Sequence, residues 1–131
     1  MPETILVVDD NESATSMTAR MLNGLGYAVL TVLDGPSALA QITGQHPDCI
    51  LLDIMMPRMS GLEVLSRLKH DPATKGIPVI LLTAKSLDED VLIGYKENAE
   101  YYLTKPCTSR DLVYGIRLVL GKRRAAPSPP A

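Results

Sequence analysis

Five side chains in this sequence stand where short apolar runs end, and their chemistry is complementary. Asp9 and Asp10 follow Ile5-Leu6-Val7-Val8, and Asp53 follows Cys49-Ile50-Leu51-Leu52. Thr83 follows Val79-Ile80-Leu81-Leu82, and Lys105 closes the run that begins Tyr101-Tyr102-Leu103. Three carboxylates a few ångströms apart raise one another's pKa unless a cation intervenes. A hard divalent cation such as Mg2+ suits them, because it takes one or two carboxylates together with waters and a phosphate oxygen. A carboxylate can also attack phosphorus and form an acyl phosphate. Lys105 could then hold a phosphoryl oxygen as a point charge while Thr83 donates a hydrogen bond to another. All of this requires that the runs be strands ending at one edge of one sheet.

The periodicity supports that requirement. Short apolar runs alternate five times with helical patterns. After the first run, Ala14, Met17, Met21 and Leu25 form a helical stripe that Gly24 and Gly26 stop. Tyr27 to Leu33 reads as a second strand, and Pro36 suits the first position of a short helix with Ala38, Leu39 and Ile42 inward and Gly44 at its end. Beyond Asp53, Ser60 and Glu63 form a capping box for a helix that presents Leu62, Val64, Leu65 and Leu68 inward and ends at Asp71-Pro72. Ser86 with Glu89, and Thr108 with Asp111, have the same kind of spacing. Leu112, Ile116 and Val119 lie on one stripe of the last helix, which Gly121 ends. Three strands are nearly continuous apolar runs, the pattern of a parallel sheet covered on both faces. The predicted fold is α/β, a doubly wound five-stranded parallel sheet of order 2-1-3-4-5 flanked by five helices, flavodoxin-like.

Composition excludes several functions. The chain has 131 residues, 13 basic and 15 acidic, for a net charge of −2. A dedicated nucleic-acid binder needs a concentrated basic footprint, and five Tyr without Phe or Trp offer little stacking surface. No apolar run approaches the about 18 residues of a membrane span. With no signal-peptide pattern and two cysteines, Cys49 and Cys107, without metal spacing, the expectation is one cytoplasmic domain with reduced thiols. His46 and His70 read as surface residues, and the methionines at 17, 21, 55, 56 and 59 as core and loop filler. The segment 122–131 reads as a basic, Pro-rich tail or linker behind a domain spanning 3–121.

Asp9-Asp10, Asp53, Met56-Pro57, Gly61, Thr83-Ala84 and Tyr102-Leu103-Thr104-Lys105-Pro106 occur together in one order. On these residues the chain resembles a response-regulator receiver domain. The resemblance implies a phosphoacceptor in a two-component phosphorelay, a switch rather than an enzyme acting on a separate substrate. Asp53 would accept the phosphoryl group, Asp10 would bind Mg2+ directly, and Asp9 would act mainly through metal-bound water. The backbone carbonyl of Met55 would complete the metal shell. Thr83 and Lys105 would grip the phosphoryl group, and Tyr102 would be the switch aromatic that turns inward as Thr83 moves. The Lys105-Pro106 bond would be cis. The partner would be a sensor histidine kinase or histidine phosphotransfer protein that carries the phosphodonor histidine. A downstream effector or a second copy would read the face of fourth helix, fifth strand and fifth helix, roughly 86–119. Neither nucleic acid nor membrane would be contacted directly.

Departures and rivals temper the resemblance. Asn98 stands before Ala99 where the family commonly has glycine, and Asn tolerates that left-handed stop. Met55 and Lys85 occupy the positions two past Asp53 and Thr83 that tune phosphate loss; Met55 cannot orient a water, so slow loss is expected. A haloacid-dehalogenase-type phosphatase would need a second Asp where Met55 stands. A flavodoxin-like flavin carrier would need a phosphate loop where Asp9-Asp10-Asn11-Glu12 would repel it. The more serious rival is a receiver-fold dimerisation or docking module acting without phosphorylation.

Overall fold

The computed structural model describes residues 2–84, 99–105 and 107–125. In chain order these form β1 (Thr4–Val8), α1 (Glu12–Gly24), β2 (Ala28–Val32), α2 (Gly35–Gly44), β3 (Cys49–Asp53), α3 (Gly61–His70), β4 (Val79–Ala84), β5 (Tyr101–Lys105) and α4 (Ser109–Ala125). The sheet order is β2-β1-β3-β4-β5 and every pair is parallel. The expected strand order is therefore present. The predicted helix that opens at Ser86 and Glu89, fourth in chain order, lies outside the described residues, as do Lys85, Asn98, Pro106 with the expected cis bond to it, and residues 126–131.

Alternation within the strands builds two cores, one on each face of the sheet. Leu6, Val8, Ile50, Leu52 and Leu81 meet Ala38 and Ile42 of α2 and Val64, Leu65 and Leu68 of α3. Ile5, Val7, Leu51 and Ile80 meet Leu22 of α1 and Leu112, Ile116, Val119 and Leu120 of α4. All five residues of β3 are buried, so the strand carrying Asp53 is held from both sides. Each full burial of a Leu, Ile or Val contributes roughly 1.5–3 kcal/mol relative to exposure.

Local corrections concern helix faces and ends. The inner face of α1 is Thr15 and Leu22, while Met17 is 73% exposed. Thr15 can face inward because its hydroxyl donates to the Glu12 carbonyl at 2.8 Å, which satisfies it locally. Leu25 is the exposed C-cap residue rather than part of a stripe. Met55 is likewise exposed, so the filler role fits only Met21, Met56 and Met59, which pack partly against the cores. Pro36 is the second helical residue of α2, behind the N-cap Asp34. Ser60 accepts from the Glu63 amide, but the Glu63 carboxylate pairs with Arg67 at 3.2 Å, so only half of that capping box forms. Thr108 and Asp111 make both bonds, at 3.3 and 3.0 Å. The last helix passes Gly121 and ends at Ala125.

A buried cation ties the strand starts opposite the acidic edge. Lys69 Nζ donates to the carbonyls of Lys75 (3.0 Å) and Ile77 (3.1 Å) and to Glu100 (3.0 and 3.1 Å). Glu100 Oε1 also accepts from the Val79 amide at 2.7 Å, joining the entrances of β4 and β5. The Lys69 side chain is only 6% exposed. Lys69→Met keeps the aliphatic stem but strands these acceptors. It should cost about 2 kcal/mol in urea unfolding, with the acidic edge unaffected.

Candidate functional site

The carboxyl edge of the sheet is positioned by strand register. Asp53 is the last residue of β3, paired with Leu82, so Thr83 stands one step beyond it on β4. Lys105 closes β5 opposite Ala84. Asp9 follows β1, its amide donating to the Val32 carbonyl at 3.3 Å. Parallel strands of similar length therefore deliver Asp9, Asp53, Thr83 and Lys105 to one place.

Within that edge, Asp9, Asp53 and Thr83 are buried and Asp10 is exposed. One carboxylate oxygen from each of Asp9, Asp10 and Asp53 lies within 4.8 Å of the others. Lys105 Nζ donates to Asp9 Oδ2 at 3.0 Å and to Asp53 Oδ2 at 3.2 Å. The remaining oxygens are also engaged: Asp9 Oδ1 accepts from the Asn11 amide (3.0 Å) and Asp53 Oδ1 from the Met55 amide (3.1 Å). Burial pushes the Asp53 carboxyl above its ordinary value and the neighbouring Asp9 charge adds to this, against the pull of Lys105 and the Met55 amide. Burial alone would lower the Lys105 ammonium, but its bond to Asp9 and the charges of Asp53 and Asp9 carry it above the ordinary lysine value.

The donor set fits a hard divalent cation. Three carboxylates converge, two walled in and one open to solvent, which suits an ion that keeps several waters. Both Asp9 oxygens already accept hydrogen bonds, so a water-bridged contact suits Asp9 and a direct one suits the open Asp10. Tyr102 pairs with Leu81 in the β4–β5 register, two residues before the Thr83–Thr104 pair. Its ring is half-buried on the α3 face of the sheet, against the core that contains Leu81 and Ala99. An open groove of about 550 Å³ runs from Asp9 and Lys105 between α1 and α4, with Met17, Met21 and Leu112 on its walls.

Two residues that hold the site carboxylates, one at Asp53 and one at Asp9, carry no plain signal in sequence. Gly61 was visible only as part of a motif. An added Cβ there would lie 2.2 Å from the Asp53 carbonyl oxygen and 2.8 Å from Ile54 Cα. Its amide donates to the Ile54 carbonyl at 3.0 Å, seating the start of α3 against the end of β3. Asn11 caps α1 through its side chain, accepting from the Ala14 amide, while its own amide steadies Asp9. An acidic residue followed by Asn before a helix is the signal that could have marked it.

The fold and the site define a class, doubly wound domains with an acidic pocket and a lysine at the carboxyl edge of the sheet. The description "response regulator receiver domain" matches residues 5–117, and the chain belongs to that family. It is 42% identical over 125 residues to the phosphate regulon transcriptional regulatory protein PhoB of Pseudomonas aeruginosa, covering 95% of this chain and 54% of that one. It is 40% identical over 119 residues to a probable transcriptional regulatory protein, TcrX, of Mycobacterium tuberculosis, covering 91% of this chain and 50% of that one. The chain thus spans about half the length of these relatives. In structure it is similar to a response regulator receiver domain protein (CheY-like) from Methanospirillum hungatei, with a TM-score of 0.91 at 27% identity, covering 97% and 100% of the two chains. None of its described helices is long and apolar enough to cross a membrane.

Proposed function

We propose that the chain is a phosphoacceptor switch, taking a phosphoryl group onto Asp53 from a phosphohistidine on a sensor histidine kinase or histidine phosphotransfer protein. The observation that carries this is Lys105 bridging Asp9 and Asp53 at the carboxyl edge, a cation already seated beside the nucleophile. An Asp53 oxygen forms the new P–O bond. The P–N bond of the donor breaks, and its electron pair leaves on the imidazole nitrogen. Lys105 exchanges its carboxylate contacts for a phosphoryl oxygen, and Thr83 donates to another. Asp9, Asp10, Asp53 and the Met55 carbonyl would hold Mg2+, which when bound neutralises charge on the transferring oxygens.

The output is a population shift. Drawing Thr83 toward the phosphoryl group frees space for Tyr102 to turn inward, which changes the face beyond β5 that an effector or a second copy reads. The setting is cytoplasmic. No described surface is assigned to nucleic acid, and any transcriptional role would reside in a longer protein resembling the relatives. Incubation with phosphoramidate and Mg2+ tests the switch through the ring resonances of Tyr102, which should shift in wild type and stay fixed in Thr83→Ala. Uptake of phosphoryl without any Tyr102 shift would overturn the switch assignment.

Phosphate lifetime gives a further expectation. Met55 is 58% exposed at the mouth of the site and offers no group to orient water. Met55→Asn should shorten the half-life of the phosphorylated chain about tenfold, less than the roughly 10²–10⁴-fold of a true general base because an amide only orients the water. Release no faster than wild type would remove Met55 from that role.

A further inference from the structure

We propose that Arg58 is a positioning residue for the phosphoacceptor, acting through the main chain of Met55. The proposal rests on the reading of Asp53 as acceptor. Among the described residues Arg58 is the single non-glycine residue with positive φ, at 69°. Such a conformation persists where the surroundings over-determine it, and it concentrates at functional sites.

The surroundings here form a closed ring. At one end the Met55 amide donates to Asp53 Oδ1 at 3.1 Å. At the other, the Gly61 amide donates to the Ile54 carbonyl at 3.0 Å, an approach open only to a residue without Cβ. Between them, the Met59 amide donates to the Pro57 carbonyl at 2.8 Å, a three-residue turn centred on Arg58. The turn packs on the start of α2 through Met59. The Met59 side chain fills the space a Cβ at Gly35 would take, its sulfur 2.9 Å from that position. The Ser37 amide, and more weakly the Arg58 charge, hold the carboxyl of Asp34, the N-cap of α2, below its ordinary value.

With both ends of the ring fixed, the backbone angle at Arg58 decides where residues 55 and 56 lie. The Met55 N–H is already bonded to the Asp53 carboxylate, and the Met55 carbonyl lies on the same short stretch of chain. Relaxing Arg58 to negative φ would lengthen the ring and withdraw them. The left-handed turn is therefore part of the site through its backbone.

Substitutions that differ in their tolerance of positive φ provide the test. Arg58→Gly and Arg58→Asn accept it, Arg58→Val resists it, and Arg58→Ala is intermediate. Three readouts are needed: the Mg2+ dissociation constant by calorimetry, the rate of phosphoryl uptake from phosphoramidate, and the thermal midpoint. Val should weaken Mg2+ and slow uptake by about tenfold or more, the range for residues that orient ligands. Ala should follow in the same direction by less, and serves alone if Val does not fold. Gly and Asn should stay within about twofold of wild type, rescuing function whatever their stability. Val and Ala matching wild type, or Gly and Asn failing as badly as Val, would overturn the proposal. A wild-type chain that neither binds Mg2+ nor takes up phosphoryl would instead overturn the reading beneath it.

Discussion

Gly61→Ala is expected to cost about 3 kcal/mol or more of stability and to remove most phosphoryl uptake. The added methyl would sit 2.2 Å from the Asp53 carbonyl oxygen and 2.8 Å from both Asp53 C and Ile54 Cα. All three are backbone atoms, so no rotamer change relieves the overlap. Either α3 retreats from the sheet, breaking the Gly61–Ile54 bond, or the end of β3 moves and takes Asp53 with it. Alanine gains up to about 1 kcal/mol of helix propensity over glycine, which is smaller than the steric cost. Gly35→Ala is the informative comparison, because its methyl would meet only side-chain atoms of Met59 at 2.9–3.0 Å rather than backbone and should cost less, about 1 kcal/mol. Urea midpoints at unchanged slope measure both. A Gly61→Ala chain as stable as wild type would mean that α3 does not press on Asp53 as described.

The second large effect is that of Lys105→Met, which should slow phosphoryl uptake by about 10²–10³-fold, the cost of removing one preorganised charge or donor. Lys105 bridges Asp9 and Asp53 at 3.0 and 3.2 Å, so its loss leaves two buried carboxylates facing each other. The pH dependence follows in sign. Burial already raises Asp53, and Lys105 opposes that rise, so the variant's Asp53 is raised further. Uptake needs the ionised carboxylate and therefore falls as pH drops through the folded-state pKa. In wild type that acid limb lies above the ordinary aspartate value, and in Lys105→Met it moves to higher pH. Stability runs the other way. A carboxyl raised on folding favours the folded state below its unfolded pKa, and this contribution is lost as pH rises through the folded pKa. The destabilisation of Lys105→Met should accordingly be greater at neutral pH than near pH 4. An acid limb that stays in place would show that Lys105 does not act on Asp53 electrostatically.

The strand order and the acidic edge were legible because both follow from simple periodicities. Apolar runs buried on two faces mean parallel strands, and parallel strands of similar length bring Asp9, Asp53, Thr83 and Lys105 together. The face of α1 was misread because Thr15 looks polar in sequence, yet its hydroxyl is satisfied by its own helix. Gly121 looked like a stop, but a glycine within a helix anchored by Val119 and Leu120 costs only about 1 kcal/mol and is overridden by packing. Steric and torsional facts were least visible. Nothing in the run Met-Met-Pro-Arg-Met says that the arginine adopts φ of 69°, because that angle comes from ring closure between β3 and α3 and not from the residue itself.

Asp53 as the acceptor is tested most directly by intact-mass measurement after incubation with acetyl phosphate, with and without Mg2+, on wild type and Asp53→Asn side by side. Wild type should gain one phosphoryl group, labile to base and dependent on Mg2+, and Asp53→Asn should gain none. The same gain in Asp53→Asn, or a wild-type gain indifferent to Mg2+, would contradict the assignment.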